Sequence, residues 1–260
     1  LKIRGELALK TAQASFCVND SEFMKKCWYE AFFSNSTIPN YLRLFVDGEV
    51  TRKYKELAEN RIEKLCISYD HNKQSISETA KNSIDKIDYK YLYFFSGHFE
   101  KIRNWCMEKK SSLGWSGHFI GVGIDLMLLY LYADKSLRKA GKKIAVELSN
   151  SLGFNKSKNL VFMKENFVFE TDVSEQKGEE IFWNIFCLWK VNYKIDKDDI
   201  KSYVEWLEIV IDKRIDGIVG GKFRSKYNDV ALLAAAVGEV KESLGEKNAK
   251  RIIIEMYLKK

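Results

Sequence analysis

The sequence contains a single proline, Pro39, among its 260 residues. Sheet-rich folds with many turns use several prolines, whereas long helices exclude proline from their interiors. The scarcity of proline therefore favours an all-α fold. Aromatic residues make up 13 % and charged residues 30 % of the chain, which supplies enough apolar surface for a folded core and argues against a disordered protein.

Disulfide and redox motifs are also lacking. The five cysteines are far apart in the sequence, and no two of them have Cys-x-x-Cys spacing: Cys17, Cys27, Cys66, Cys106 and Cys187. An odd number of scattered thiols within apolar runs is typical of reduced cysteines in a core. We therefore predict free cysteines and a cytoplasmic location.

The three histidines, His71, His98 and His118, lack any zinc-binding spacing such as His-x-x-His. A zinc site would need the fold to bring them together with further ligands, and isolated histidines at a surface or corner are the commoner case. We therefore predict no metal site and no cofactor.

No apolar run is long enough to span a bilayer. The longest, residues 119–133, contains Asp125 and is shorter than the roughly 20 residues that a spanning helix needs. We predict a buried helix there and no membrane insertion. The chain begins at Leu1 without a methionine and stops within a helical pattern, so we expect it to be part of a longer protein.

Glycines mark the predicted corners between helices. Helical apolar spacing over residues 84–95 stops just before Gly97 and resumes at Phe99. Residues 243–254 show a looser version of the pattern around Gly245. Glycine reverses the chain in the left-handed conformation at low steric cost, so both segments predict helical hairpins. The arrangement around Gly97 resembles the corner of tetratricopeptide-type repeats.

Other helices follow from apolar spacing and caps. Residues 2–18 place Ile3, Leu7 and Ala14 on one side of a predicted helix. Asp20 or Ser21 is a good residue for the start of the next helix. Together these patterns predict an irregular stack of antiparallel helix pairs, either a TPR-like α-solenoid or a large helical bundle.

No linker or low-complexity segment interrupts the chain, which predicts one helical-repeat domain over residues 1–260. The alternative is a subdivision near 155–178, giving parts 1–155 and 178–260. Residues 159–173, within that region, have a strand-like composition that would fit a small hairpin.

The net charge is +7, but most of the excess is dispersed lysine, so a solvated surface is the simpler interpretation. Two segments nevertheless combine cations with aromatic or polar side chains and give the candidate binding residues: Trp115, His118, Lys222, Arg224 and Lys226. An exposed Trp can stack a base or anchor a peptide. The alternative is that Trp115 plugs the core and the cations favour a helix C-terminus.

Asp216 followed by Glu239 and Lys241 has the residue order of a D…E-x-K nuclease site, in which carboxylates hold Mg²⁺. That site requires a strand, whereas Glu239 and Lys241 fall in an Ala-rich helical pattern. The sequence therefore argues against it.

Three segments, residues 30–44, 113–118 and 204–245, resemble the helical region of bacterial SWIM-type zinc-finger proteins and related helical-repeat proteins. The resemblance implies a helical-repeat architecture and a scaffold role. It carries over no zinc or DNA-binding residue, because the family's zinc-binding C-x-C…C-x-H element is absent from this sequence.

These observations favour an interaction or scaffold module that binds a protein or peptide, since stacked helix pairs form extended binding surfaces. One alternative is a nucleic-acid-binding protein whose lysines gather on one face. The less favoured alternative is an enzyme with a site assembled from distant residues, such as Asp125, His118 and Glu147. The sequence leaves the oligomeric state open.

Overall fold

The structure of the protein, a computed structural model, describes residues 2–46, 52–72, 88–107, 119–132 and 175–258. Within these ranges every regular element is helical and no strand is present, which confirms the predicted all-α class. The strand-like segment 159–173 lies outside the described residues.

Eleven α-helices are present in the described ranges: α1 (Lys2–Cys17), α2 (Ser21–Ser34), α3 (Ile38–Arg43), α4 (Arg52–Asn72), α5 (Asp88–Phe95), α6 (Phe99–Met107), α7 (Phe119–Tyr132), α8 (Glu175–Asn192), α9 (Lys197–Gly220), α10 (Tyr227–Ser243) and α11 (Ala249–Leu258). The chain forms two compact units, each built from two sequence segments. Unit 1 is Leu1–Lys101 with Val161–Tyr193, and unit 2 is Ile102–Leu160 with Lys194–Lys260. None of the described helices is long and apolar enough to cross a membrane.

Side-chain caps fix where two helices of unit 1 begin. The backbone N–H of Phe23 donates to Asp20 Oδ1 at 3.0 Å, as the sequence predicts for α2. Helix α3 begins after Thr37, whose Oγ1 accepts from the backbone N–H of Asn40 at 3.4 Å. Pro39 lies in the first turn of α3, where the missing N–H of proline costs no helical hydrogen bond.

The predicted glycine corners are confirmed. Gly97, between α5 and α6, has φ +83°, and Gly245, between α10 and α11, has φ +108°. Two other helices also end at a residue in the left-handed region: Asn19 (φ 58°) follows α1, and Lys222 (φ 56°) follows α9. In each case the next residue's N–H bonds back to the fifth residue before it, at 2.9–3.0 Å, which satisfies a free helix carbonyl.

Gly97 is needed for space as well as for conformation. A Cβ on Gly97 would lie 2.6 Å from the ring of Tyr193, closer than real Cβ atoms approach, whereas a Cβ on Gly245 would meet nothing within 4 Å. The α5–α6 corner therefore packs directly against the end of α8. Phe99 packs back across the corner onto Phe94, with ring centroids 5.1 Å apart.

The core of unit 1 is a block of aromatic rings around Trp189 of α8. Trp189 is fully buried, and its indole N–H donates to the backbone carbonyl of Phe95. Its ring centroid lies 5.0 Å from Phe95, 5.1 Å from Phe186 and 5.8 Å from both Phe94 and Tyr193. Rings of this size bury large areas and favour edge-to-face contacts, so this block holds α5 and α8 together.

Ile3 and Leu7 lie on an exposed side of α1, although apolar side chains would be expected to face the core. Ile3 is 80 % and Leu7 63 % exposed, and Ala14 is exposed as well. The buried residues of α1 are small: Gly5, Ala8, Ala12 and Ser15. A Cβ on Gly5 would lie 3.3 Å from the backbone oxygen of Ala31 in α2. The side of α1 with small residues is buried because the backbones of α1 and α2 approach closely there.

Unit 2 is organised around α7, the apolar helix predicted from residues 119–133. Ile124 and every residue from 126 to 132 are buried, which confirms the prediction of a buried helix. The hydroxyl of Tyr130 accepts from the backbone N–H of Ile195 at 3.0 Å. Arg103 Nη1 donates to Ser202 Oγ at 2.9 Å, so α6 and α7 are both tied to the start of α9.

We predict that Gly97→Ala destabilises the protein more than Gly245→Ala. Both substitutions place Cβ in the left-handed region, at about 1–2 kcal/mol each. Only Gly97→Ala adds overlap with the Tyr193 ring, for which overpacking typically costs a further 1–3 kcal/mol or so. Urea unfolding followed by circular dichroism measures both free energies. Equal losses in the two variants would contradict the packing role assigned to Gly97.

Candidate functional site

The cations Lys222, Arg224 and Lys226 lie in the corner between α9 and α10. Residues Arg224–Lys226 form a 3₁₀ turn that leads directly into α10. Lys222 and Arg224 are exposed, and Lys226 is half-buried. Residues 221–227 are called the basic corner below.

Two aromatic residues are next to these cations in the sequence, Phe223 between Lys222 and Arg224, and Tyr227 after Lys226. Phe223 is 47 % and Tyr227 39 % exposed. The ring of Phe223 lies over Gly221, where a Cβ would come within 2.4 Å of its Cε2 atom. The Phe223 ring therefore packs against the backbone at Gly221, and about half of the Phe223 surface is exposed to solvent.

Elsewhere in unit 2, lysines are paired with glutamates. Lys241 of α10 contacts Glu208 of α9 at 2.6 Å and Glu246 at 3.0 Å. Lys250 of α11 contacts Glu239 of α10 at 2.7 Å, and this hydrogen bond raises the pKa of Lys250 above its usual value. These ion pairs join α9, α10 and α11.

Lys222 and Arg224 differ from those lysines, because neither has a carboxylate partner among the described residues. Their charge is therefore available to an external anion. Nothing in the described fold of unit 2 depends on it.

The D…E-x-K order does not form a nuclease site in the described residues. Asp216 lies on α9, and Glu239 and Lys241 lie on α10; the sequence argument that this segment is helical is confirmed. Glu239 and Lys241 are both used in the ion pairs between helices. No group of three His, Cys, Asp or Glu side chains within the described ranges could hold a metal ion.

The remaining predicted site residues are not brought together by the described part of the chain. Trp115 and His118 lie outside the described residues, and so does Glu147. Asp125 lies on α7, where burial raises the pKa of its carboxyl well above the usual value. His98 is exposed at the α5–α6 corner, and desolvation lowers its pKa.

Unit 1 carries an exposed aromatic cluster that the sequence did not reveal. Tyr29 and Tyr54 stack with centroids 5.2 Å apart, which joins α2 to α4. Phe33, 45 % exposed, lies 6.1 Å from Tyr29, and the Arg61 guanidinium lies over its ring at 5.2 Å. Leu57, 39 % exposed, lies between Tyr54 and Arg61 on the same side of α4. These five residues are called the aromatic surface below.

The charge around the aromatic surface is mainly positive. Lys53 and Lys64 are exposed and lie on the same side of α4 as Leu57, at helical spacing. Lys26, three residues before Tyr29 on α2, is exposed too. Of the two glutamates of α2, Glu30 is paired with Arg4 at 2.7 Å, whereas Glu22 makes no ion pair with the described residues.

A chain of hydrogen bonds runs through the interior of unit 1. Tyr193 donates to Glu59 Oε1 at 2.8 Å, so the fully buried Tyr41 donates its own proton to the Tyr193 oxygen. Lys55 lies 4.3 Å above the Tyr193 ring and donates to the carbonyl of Asn192 at 3.0 Å. The chain connects α3, α4 and the end of α8.

Burial raises the pKa of Tyr41 and of Tyr193 above the usual tyrosine value. Both phenols therefore stay neutral at ordinary pH and serve as hydrogen-bonding groups. The arrangement is structural: it satisfies buried hydroxyls and fixes the ring that Gly97 contacts.

No family model matches the chain, no curated protein matches it, and no solved structure matches it. The resemblance to SWIM-type and tetratricopeptide-type proteins therefore stays a prediction.

We predict that Tyr193→Phe costs about 1–3 kcal/mol of stability, because it leaves the buried Tyr41 hydroxyl and Glu59 without their partner. Tyr41→Phe should cost less, about 1 kcal/mol, since the bond from Tyr193 to Glu59 remains. The double variant should lose less than the sum of the two. Urea unfolding measures all three, with the exposed Tyr227→Phe as control; additive losses would show that the two hydroxyls do not interact.

The raised tyrosine pKa values also predict alkaline instability. Above about pH 10 an unfolded tyrosine loses its proton, whereas the folded protein keeps Tyr41 and Tyr193 protonated. The unfolded state then binds fewer protons, so stability falls with rising pH, by about 1.4 kcal/mol per pH unit for each tyrosine. Below pH 10 or so the contribution is fully present. Unfolding midpoints measured from pH 8 upward test this, and the double Tyr→Phe variant should show a shallower decline.

Proposed function

We propose that this chain is a protein-interaction module that binds an acidic peptide with apolar side chains at the aromatic surface of α2 and α4. The observation that carries the proposal is the cluster of Tyr29, Phe33, Tyr54 and Leu57 with Arg61 at its edge. Exposed aromatic groups with an arginine among them are the composition typical of interface centres.

The exposed part of this cluster has no role in the core of unit 1. Helix α2 buries its opposite side, including Trp28, Ala31 and Phe32, and α4 buries Ala58, Ile62 and Cys66. Phe33 and Leu57 could therefore be polar without loss of core packing. Apolar residues retained on such an exposed surface are typical of a binding site.

The surrounding charge selects the kind of partner. Lys26, Lys53, Lys64 and Arg61 lie around the rings. The exposed acids of α4, Glu56 and Glu63, are not at helical spacing from Leu57. On α2, Glu30 is paired with Arg4, and Glu22 is exposed. A peptide that inserts apolar side chains between α2 and α4 and carries Asp or Glu beside them would complement both the rings and the cations. Because α2 and α4 are fixed to each other by the Tyr29–Tyr54 stack, the surface is preorganised for such a peptide.

A displayed peptide library selected on the purified chain tests this function. We expect enriched peptides to combine apolar and acidic residues and to bind with weakened affinity at higher salt. The variant Phe33→Ser/Leu57→Ser should weaken binding of the enriched peptides by about tenfold or more, the effect of losing one to two kcal/mol of apolar contact.

The matched control removes two equally exposed apolar side chains elsewhere, Ile254→Ser/Met256→Ser on α11, which are 53 % and 42 % exposed. This variant should bind the same peptides unchanged. Enriched peptides that bind both double variants equally well, or a selection that enriches no sequence pattern, would overturn the proposal.

A further inference from the structure

We propose that the basic corner of unit 2, residues 221–227, binds single-stranded nucleic acid. The site is distinct from the aromatic surface of unit 1, and its argument rests on different residues. Two features of the corner carry it: the exposed cations Lys222 and Arg224, and the partly exposed rings of Phe223 and Tyr227.

The cations have the chemistry of phosphate contacts. Lys222 and Arg224 are exposed and have no carboxylate partner among the described residues, although Lys241 and Lys250 of the same unit are paired with glutamates. Binding phosphates would displace counterions from the nucleic acid, which is the main source of affinity in such complexes.

The rings have the chemistry of base stacking. Phe223 and Tyr227 are both exposed in part, and the absence of a side chain at Gly221 lets the Phe223 ring pack against the backbone there. A ring held on one side and open on the other is a stacking platform, and every base can stack on it whatever its identity. Cations and rings that alternate from Lys222 to Tyr227 therefore offer phosphate and base contacts together.

The backbone at Lys222 has the left-handed conformation, with φ 56°, which a residue with a side chain adopts less readily than glycine. This conformation caps α9, because it lets the backbone N–H of Phe223 bond back to the carbonyl of Ile218. A glycine at position 222 would keep the cap, so the lysine side chain can be removed without disturbing the corner.

A single strand fits these features better than a duplex or an acidic peptide. Bases are open for stacking only in a single strand, and the corner has no long helix that could enter a major groove. A purely acidic peptide would contact the cations and leave the rings without a contact. The corner is therefore assigned to a single strand without strong sequence preference.

Fluorescence anisotropy with a labelled oligothymidylate tests the assignment on the whole chain. The same experiment is run with a duplex of equal length and with an oligoglutamate peptide. We expect the single strand to bind most tightly, with a slope of log affinity against log salt of about −1.4, as two phosphate contacts imply.

Two variants separate charge from stacking. Lys222→Gly removes a cation while relieving the left-handed strain, so it should weaken binding and flatten the salt slope by about 0.7 without lowering thermal stability. Phe223→Leu keeps an apolar side chain on Gly221 but removes the ring, and should weaken binding by about fivefold or more at every salt concentration. Lys247→Gly, an exposed lysine at the α10–α11 corner, is the control for loss of one charge and should have less than about a twofold effect.

Several results would overturn the assignment. Equal weakening of binding by Lys247→Gly and Lys222→Gly would show that the nucleic acid is attracted by the overall charge and not bound at the basic corner. The duplex or the oligoglutamate could bind as tightly as the single strand, or the Phe223→Leu variant could bind normally. Absence of any binding at low salt would overturn it directly.

Discussion

The organisation of unit 1 depends on one steric constraint, the contact between Gly97 and the ring of Tyr193. A side chain at position 97 would occupy the same space as that ring, so the α5–α6 corner and the end of α8 can meet only because Gly97 has none. Beside this contact, the Trp189 indole bonds to Phe95 across 94 positions of sequence. Tyr193 then continues the connection to Tyr41 and Glu59, so α3 and α4 are positioned by the same ring.

The aromatic surface at which we propose peptide binding lies on α2 and α4. Both helices bury their core sides against the rest of unit 1, and the Tyr29–Tyr54 stack fixes them to each other. The rings that remain exposed are therefore rigid, and a ligand would not have to order them on binding. In unit 2, ion pairs join α9, α10 and α11, and Lys222 and Arg224 take no part in them.

Much of the fold was predictable from local patterns. One proline, the glycine positions and helical spacing gave the all-α class, the corners at Gly97 and Gly245, and the buried helix at 119–133, because each depends on residues close in sequence. Hydrophobicity alone misled at α1, where the small residues Gly5 and Ala12 are buried while Ile3 is 80 % exposed. Which side of a helix is buried depends on how closely the neighbouring helix approaches. For α1 that neighbour is α2, and the sequence of α1 alone does not specify how α2 packs on it.

The surfaces were predictable only in part. Lys222 and Arg224 could be singled out because their charges are adjacent in sequence, but their lack of carboxylate partners is a property of the folded unit. The aromatic surface combines Tyr29 and Phe33 with Tyr54 and Arg61, which come from two helices whose pairing the sequence does not specify. Helical spacing places each pair on one side of its own helix, and only the tertiary structure brings the two sides together.

Native-state hydrogen exchange by NMR tests the central claim, that the Trp189 block and the Gly97 corner hold unit 1 together. The account predicts that the Trp189 indole N–H and the backbone amide of His98, which bonds to Tyr93 at 3.0 Å, exchange only through global unfolding of unit 1. The amides of α1, which packs on α2 through small residues, should exchange faster. Exchange of the Trp189 indole as fast as that of the α1 amides would contradict the account.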